Sequence, residues 1–359
     1  MGVSLPLLIP RRRLCWRIAQ AAVFCVGAGI VLALFHRPRV GLTALWNVLV
    51  PVAPALLVVA PGLWRNVCPL GSAALFPRHM GWSARRRLSV PMQGWLALTG
   101  LVLLLAIVPL RHAALNTEGP LTGAILVGVG LLAVGMGLAF EWKSGWCSGI
   151  CPVHPVEKLY GARPAISPPN AHCTQCHRCS AVCPDSTPNM TPLIAPGTTA
   201  HAIMGTMLVG GFPGYVWGWF QVSDGTGTSA AGLADAYAWP FGGLVVTLAL
   251  YLVVRSVTPM RGRAILALGF AASAVSCYYW FRLPMLIGFG RYPGEGVLVD
   301  LSGGLPAWTP VALQAAAVAF FAWWMVVRPA RRRAWTIRPP FAAGVEPIVE
   351  ADGSRLARA

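Results

Sequence analysis

Charge is what this sequence has least of. Only 11% of its 359 residues are Asp, Glu, Lys or Arg, under half of the roughly 25% usual in soluble domains. A chain so poor in ionised side chains cannot cover a globule with polar surface, which excludes an ordinary soluble domain. Acids are the scarcer sign, 11 against 28 Lys and Arg. The arginines are spread over several short segments and none is interleaved with aromatics as in RNA- or DNA-binding patches, so the formal charge of +17 points to lipid headgroups instead. No phosphate-binding glycine loop, metalloprotease helix motif or nucleophile triad pattern is present. Histidine is missing from the middle of every long apolar stretch, which removes a haem relay across a bilayer. The segments between stretches on the outer side are poor in the Cys, Met and His ligands that copper prefers.

What remains is apolar, 56% of the chain. About 20 apolar residues suffice for a helix to cross roughly 30 Å of hydrocarbon. Such windows recur at 14–35, 42–62, 90–110, 120–140, 201–221, 238–256, 264–284 and 310–327, predicting an all-α polytopic membrane protein of eight spans. The 201–221 window is interrupted by Gly210, Gly211, Pro213 and Gly214, so a re-entrant segment is its alternative. The first span follows Arg11, Arg12 and Arg13; its apolar stretch is too long for a signal peptide and no small-residue cleavage site closes it, so it reads as an uncleaved helix rather than a twin-arginine export signal. With the N-terminus inside, only Arg37, Arg39, Arg111 and Arg291 fall outside, and Arg17 and Arg282 lie in or at the ends of spans. The positive-inside rule then places both termini in the cytoplasm of a bacterial-type inner membrane.

The longest inside segment carries the chemistry. Cys173, Cys176, Cys179 and Cys183, spaced C-x2-C-x2-C-x3-C and followed by Pro184, form the bacterial ferredoxin run that holds a [4Fe-4S] cluster. Disulfides are disfavoured in a reducing cytoplasm, and zinc usually takes two spaced pairs. Cys147 and Cys151, with Pro152, repeat the last half of the run as C-x3-C-P just after the fourth span. Cys68 before Pro69 is a third element just after the second span, with Trp64 where its partner thiolate would stand. Seven thiolates thus face two cubanes that would use eight. Because the cysteine before proline ligates the other cluster in two-cluster ferredoxins, Cys151 and Cys183 are candidates for crossed ligation.

With these motifs the chain resembles the membrane-bound polyferredoxin family, which includes the ferredoxin of periplasmic nitrate reduction and the nitrous oxide reductase regulator; the similarity covers about 42–190. The resemblance implies clusters on the cytoplasmic face that pass electrons to or from the quinone pool or a partner redox protein. It implies one [4Fe-4S] cluster on Cys173 to Cys183 and a second [4Fe-4S] or [3Fe-4S] cluster on Cys68, Cys147 and Cys151. The four spans after about residue 200 have no counterpart in the family's short members.

His154, three residues past Cys151, is a candidate iron ligand, with His79 and His177 behind it; each also reads as a loop histidine. Cys15, Cys25 and Cys277 lie within spans and read as buried core thiols. His36 and His112 read as interfacial histidines rather than ligands of a surface haem. Tyr215, Trp217, Trp219 and Phe220, with Tyr278, Tyr279, Trp280 and Phe281, could line a quinone site or form an interfacial belt. Arg282 is expected to snorkel outward and pair with Asp300 or Glu295.

The expected organisation is spans one to four with the Cys68 element (1–140), a cytoplasmic ferredoxin-like iron-sulfur segment (141–200), spans five to eight (201–330) and a basic tail (331–359). The function it supports is membrane-bound electron transfer. A membrane metal-ion reductase and a redox-sensing or assembly factor are the alternatives.

Overall fold

The fold is given by a computed structural model, which describes residues 10–166, 190–193 and 196–329, with side chains from residue 14 onward. These described residues are helical and contain no strand, only an isolated backbone bridge between Arg86 and Phe140. In chain order the helices are α1 (Pro10–His36), α2 (Pro38–Val59), α3 (Pro61–Val67), α4 (Pro69–His79), α5 (Val90–Ile107) and α6 (Gly119–Ala139). After them come α7 (Val153–Tyr160), α8 (199–219), α9 (Ala230–Val257), α10 (Arg263–Leu286) and α11 (Thr309–Val327).

Seven segments are long and apolar enough to cross a bilayer: Leu14–His36, Pro38–Val59, Val90–Ile107, Gly119–Ala139, Ala230–Val257, Met260–Leu286 and Thr309–Val327. Their outer faces are apolar too. On α9, Val245, Val246, Val253 and Val257 are each more than 60% exposed, a continuous stripe that a water-soluble protein would bury. The chain is a multi-pass membrane protein.

The remaining expected window, the fifth at 201–221, is not among these seven, yet its helix lies along α5 from one end to the other. α8 consists of Thr199–Thr206, a π-helical turn Met207–Gly211 and Phe212–Trp219. Its first turn packs on Gly94 near the start of α5, while Tyr215 Oη donates to Leu105 O (2.8 Å) and Trp219 Nε1 to Val108 O (3.3 Å) at the other end. The glycines that looked like breaks are contact points. A Cβ on Gly214 would stand 1.9 Å from Gly243 O, and one on Gly218 would stand 2.1 Å from Trp239 O. Small residues let the backbones of α8 and α9 touch, as in other membrane helix pairs, and the wide π turn absorbs Pro213, which has no N–H to donate.

We call the end where Cys68 and Cys147 follow their helices the cysteine end. At the opposite end a buried polar network ties three loops together. Asp224 accepts from Arg111 Nη1 (3.1 Å) and Asn116 Nδ2 (2.6 Å) and pairs with His112 Nδ1 (2.8 Å), while its own N–H donates to Glu295 (3.0 Å). Burial pushes the His112 pKa down; burial alone would raise Asp224, but the His112 hydrogen bond and the Arg111 charge hold its carboxyl below the usual range. His112 is thus buried and committed to Asp224, whereas His36 is exposed.

Arg282 departs from expectation. Only 2% exposed, it turns inward and donates to Trp46 O (2.5 Å) and Asn47 Oδ1 (2.7 Å). Asp300 instead binds Ser302, and Glu295 binds the Asp224 backbone. The π turn within α2 supplies the reason, since it carries Trp46 and Asn47 and frees a carbonyl that a buried guanidinium can satisfy.

Two outcomes test this architecture. Gly214→Val should lower the melting temperature of the detergent-purified protein by the equivalent of about 1–3 kcal/mol, the usual cost of overpacking. Gly242→Ala, whose Cβ meets nothing within 4 Å, should leave it unchanged; equal effects would refute the α8–α9 contact. For His112, whose folded pKa lies below its unfolded value, stability is complete above the model-peptide pKa of about 6.5 and is lost as pH falls below it. His112→Gln should therefore flatten the decline in melting temperature between pH 7.5 and pH 5.5.

Candidate cofactor site at the cysteine end

Two Cys-Pro elements build this site with nearly the same local geometry. Cys68 has φ −53° and ψ 122°, and Cys151 has φ −67° and ψ 114°. Each is extended, each is followed by proline, and each stands at the start of a helix, α4 and α7 respectively. Proline sets φ for a first helical turn and has no N–H to lose there. The next N–H groups have no partner within the helix. Those of Leu70 and Gly71 lie toward the Cys68 sulfur, and those of Val153 and His154 toward Cys151, in each case favouring the thiolate.

Cys68 stands between packed helices. Leu70 belongs to the apolar cluster built on Ala74, Ala133 and Trp146, and Ala74 O presses on Gly137 of α6, where a Cβ would stand 2.0 Å away. Pro69 rests on Gly27 of α1. The π-helical turn Trp146–Ile150 seats itself the same way on α5: Ile150 O would meet a Cβ on Gly100 at 2.0 Å. Each re-entrant segment therefore presses one carbonyl onto a glycine of a spanning helix.

The three thiols come together. The point where Gly71 would carry a Cβ lies 3.7 Å from Cys68 Cβ and 3.8 Å from both Cys147 Sγ and Lys143 Cδ. Cys151 lies close enough to act electrostatically on Cys147 and to feel Cys68. Burial raises all three pKa values, Cys147 well above the ordinary thiol range and Cys151 to about 12. Thiols held this way are protonated unless a cation takes the proton's place, and metal binding is what deprotonates such ligands.

Behind the thiols lies a buried charge cluster that the sequence reading missed. Arg65 donates to Glu157 Oε1 through Nε (2.8 Å) and Nη2 (2.5 Å), Lys143 Nζ donates to Arg65 O (3.3 Å), and Lys158 is fully buried. Burial alone would raise Glu157, but the Arg65 charge and the His154 hydrogen bond bring it down to about 2; burial lowers His154 to about 4. Among the described residues, Arg65, Lys143, Lys158 and Glu157 thus bring buried charge close to the three thiols. A signal existed in the run Glu157-Lys158 inside an otherwise apolar stretch right after a Cys-Pro pair.

Several expected residues fall elsewhere. Cys173, Cys176, Cys179, Cys183 and His177 lie outside the described residues. His154 follows Cys151 but turns Nδ1 toward Glu157 (3.7 Å), and its Nε2 has no partner among the described residues. His79 is exposed at the far end of α4. Cys15 and Cys25 are exposed on the outer face of α1, not buried in the core, and Cys277 is half-buried. The Tyr215–Phe220 aromatics sit away from the cysteines: Phe220 stacks on Phe281 and meets Tyr278 beside the Asp224 network, which removes them from a quinone site at the cysteine end.

Among the described residues no three His, Cys, Asp or Glu side chains close on a single metal ion. Cys68, Cys147 and Cys151, with the converging N–H groups, are the residues that could hold a cofactor at this end. No family model, curated protein or solved structure matches this chain.

Glu157→Gln should leave Arg65 buried without its counter-charge and cost about 3–5 kcal/mol, read as a drop in melting temperature. The double change Arg65→Met with Glu157→Leu should recover most of that loss. If the single variant melts like wild type, the pair is not buried as described.

Proposed function

We propose that the chain is a membrane-bound iron-sulfur electron-transfer protein of the bacterial-type inner membrane, exchanging electrons between the quinone pool or a cytoplasmic donor and a partner redox protein. One observation carries the reading: half-buried thiols from two separate Cys-Pro turns lie close together beside Lys143, with the N–H groups of two helix N-termini turned toward their sulfurs. The ferredoxin run at Cys173, Cys176, Cys179 and Cys183 supplies the ligands of a first [4Fe-4S] cluster in the ferredoxin-like segment. Cys68, Cys147 and Cys151 would hold a second cluster, of three or four irons. When bound, such clusters supply reversible one-electron transfer.

The chain's own residues have definite parts in this reading. Lys143 and the N–H groups of Leu70, Gly71, Val153 and His154 favour thiolate over thiol. Arg65 and Lys158 offset the negative charge that thiolates and sulfide would bring into a low-dielectric site, which would raise its reduction potential. Gly71 lets the two elements approach. Arg65, Arg78 and Arg85 to Arg87, all near the cysteine end, support a cytoplasmic position for that end by the positive-inside rule.

Anaerobic purification with iron and acid-labile sulfide counts, and low-temperature EPR before and after reduction, tests the proposal. Cys176→Ser should remove one set of signals and Cys147→Ser another, while Cys277→Ser should leave iron, sulfide and EPR at the wild-type level. A protein that holds no iron, or equal iron loss from all three changes, would overturn it.

A further inference from the structure

A second site lies at the same end, away from the cysteines. A cavity of about 380 Å³ opens between the start of α8, the end of α9 and the start of α10, with Thr191, Pro192, Leu193 and Pro196 along one wall. Its polar lining is one-sided: Arg255 and Arg263 face it, and among the described residues no Asp or Glu does. Both arginines are half-buried and weakly engaged. Arg255 Nη1 reaches Thr206 Oγ1 at 3.3 Å and its guanidinium lies 5.9 Å from the Tyr251 ring centre, within reach of the Tyr251 hydroxyl, and Arg263 Nε reaches Thr258 O at 3.5 Å. Two guanidiniums carry ten N–H donors between them, so most of their hydrogen-bonding capacity is left for an occupant.

His201 adds a donor that has no other explanation. It lines the cavity and is only 2% exposed, and its Nε2 has no partner among the described residues. Its ring is held by Thr198 Oγ1 at Nδ1 (2.8 Å) and packs on Gly94. Thr198 Oγ1 also accepts the His201 backbone N–H (3.3 Å), and of the two tautomers open to this pair we take the one in which the hydroxyl donates to Nδ1. In a neutral imidazole the ring proton then sits on Nε2. An unpaired buried N–H and two acid-free guanidiniums together call for an anion with several oxygens.

The geometry points to a phosphate-bearing ligand here, the headgroup of an anionic phospholipid. Basic pockets between membrane helices are suited to such headgroups, and guanidinium matches phosphate geometry. The surface beside the cavity suits acyl chains: Val257, Met260 and Ile265 are 78%, 74% and 57% exposed, and Met260 also lines the cavity. A bound lipid would fasten Thr191 to Pro196, the stretch that follows Cys183 in the sequence, to the membrane helices. This assignment stands whether or not the cysteines hold iron.

Native mass spectrometry of the full chain in detergent, titrated with phosphatidylglycerol and with phosphatidylcholine of the same acyl chains, reads the site directly. Wild type should prefer phosphatidylglycerol, and Arg255→Gln with Arg263→Gln should cut its binding by roughly thirty-fold, the worth of two surface-level cation contacts. Arg261→Gln, which removes an exposed charge outside the cavity lining, should bind like wild type, and the Arg255→Lys, Arg263→Lys protein should keep most of the preference. Displacement of the lipid by millimolar inorganic phosphate, with the same arginine dependence, would sustain the anion site and assign it to the free ion. Equal binding of the two lipids by wild type would overturn the proposal, as would a glutamine variant that folds and binds unchanged.

Discussion

The constraint on which this structure turns is that a backbone cannot enter an apolar layer with its N–H and C=O groups unpaired. Spanning helices satisfy it internally. The Cys-Pro turns do not, since each opens a helix inside the protein and leaves free N–H groups there. Such turns persist only if something within the protein accepts those donors and if the segments are shielded from lipid by close packing. The sulfurs provide the first, and glycines provide the second: Gly137 under Ala74 and Gly100 under Ile150 let the re-entrant chain lie directly on α6 and α5. Motif and fold are thus one solution to one problem.

The electrostatics follow from the same arrangement. Burial raises the pKa of all three thiols, while the helix starts and Lys143 pull in the other direction and do not prevail alone. Burial therefore dominates the three thiols, whatever the nearby charges add. Arg65, Lys143 and Lys158 then matter more than any one hydrogen bond, because in a low dielectric their charges are only partly screened. Glu157 keeps that group from being an uncompensated cluster of cations in the absence of an occupant. At the opposite end the balance differs: Arg111, Arg282, Asp224 and Glu295 are joined to loop and helix carbonyls or to one another, and the groups lock the connections together.

Sequence patterns made some of this legible. Long apolar windows located seven spans because length and hydropathy are properties of single segments. The Cys-Pro pairs marked helix starts at Cys68 and Cys151, because proline at a first helical turn is a local signal. What could not be read were relations between segments. Gly214 looks like a breaker until Gly243 is opposite it, and Arg282 looks lipid-facing until the π turn of α2 offers Trp46 O. Cys15 and Cys25 show the converse error, for apolar surroundings in sequence can mean lipid as readily as core.

The described residues on either side of the ferredoxin run pack on the elements of the cysteine end. Met190 is fully buried in the same core cluster as Val156 and Leu159 of α7, and Ala165 N–H bonds Val59 O at the end of α2 (2.8 Å). Trp64, four residues before Cys68, packs against that core, so packing accounts for the indole that stands where the C-x3-C-P spacing would put a thiolate.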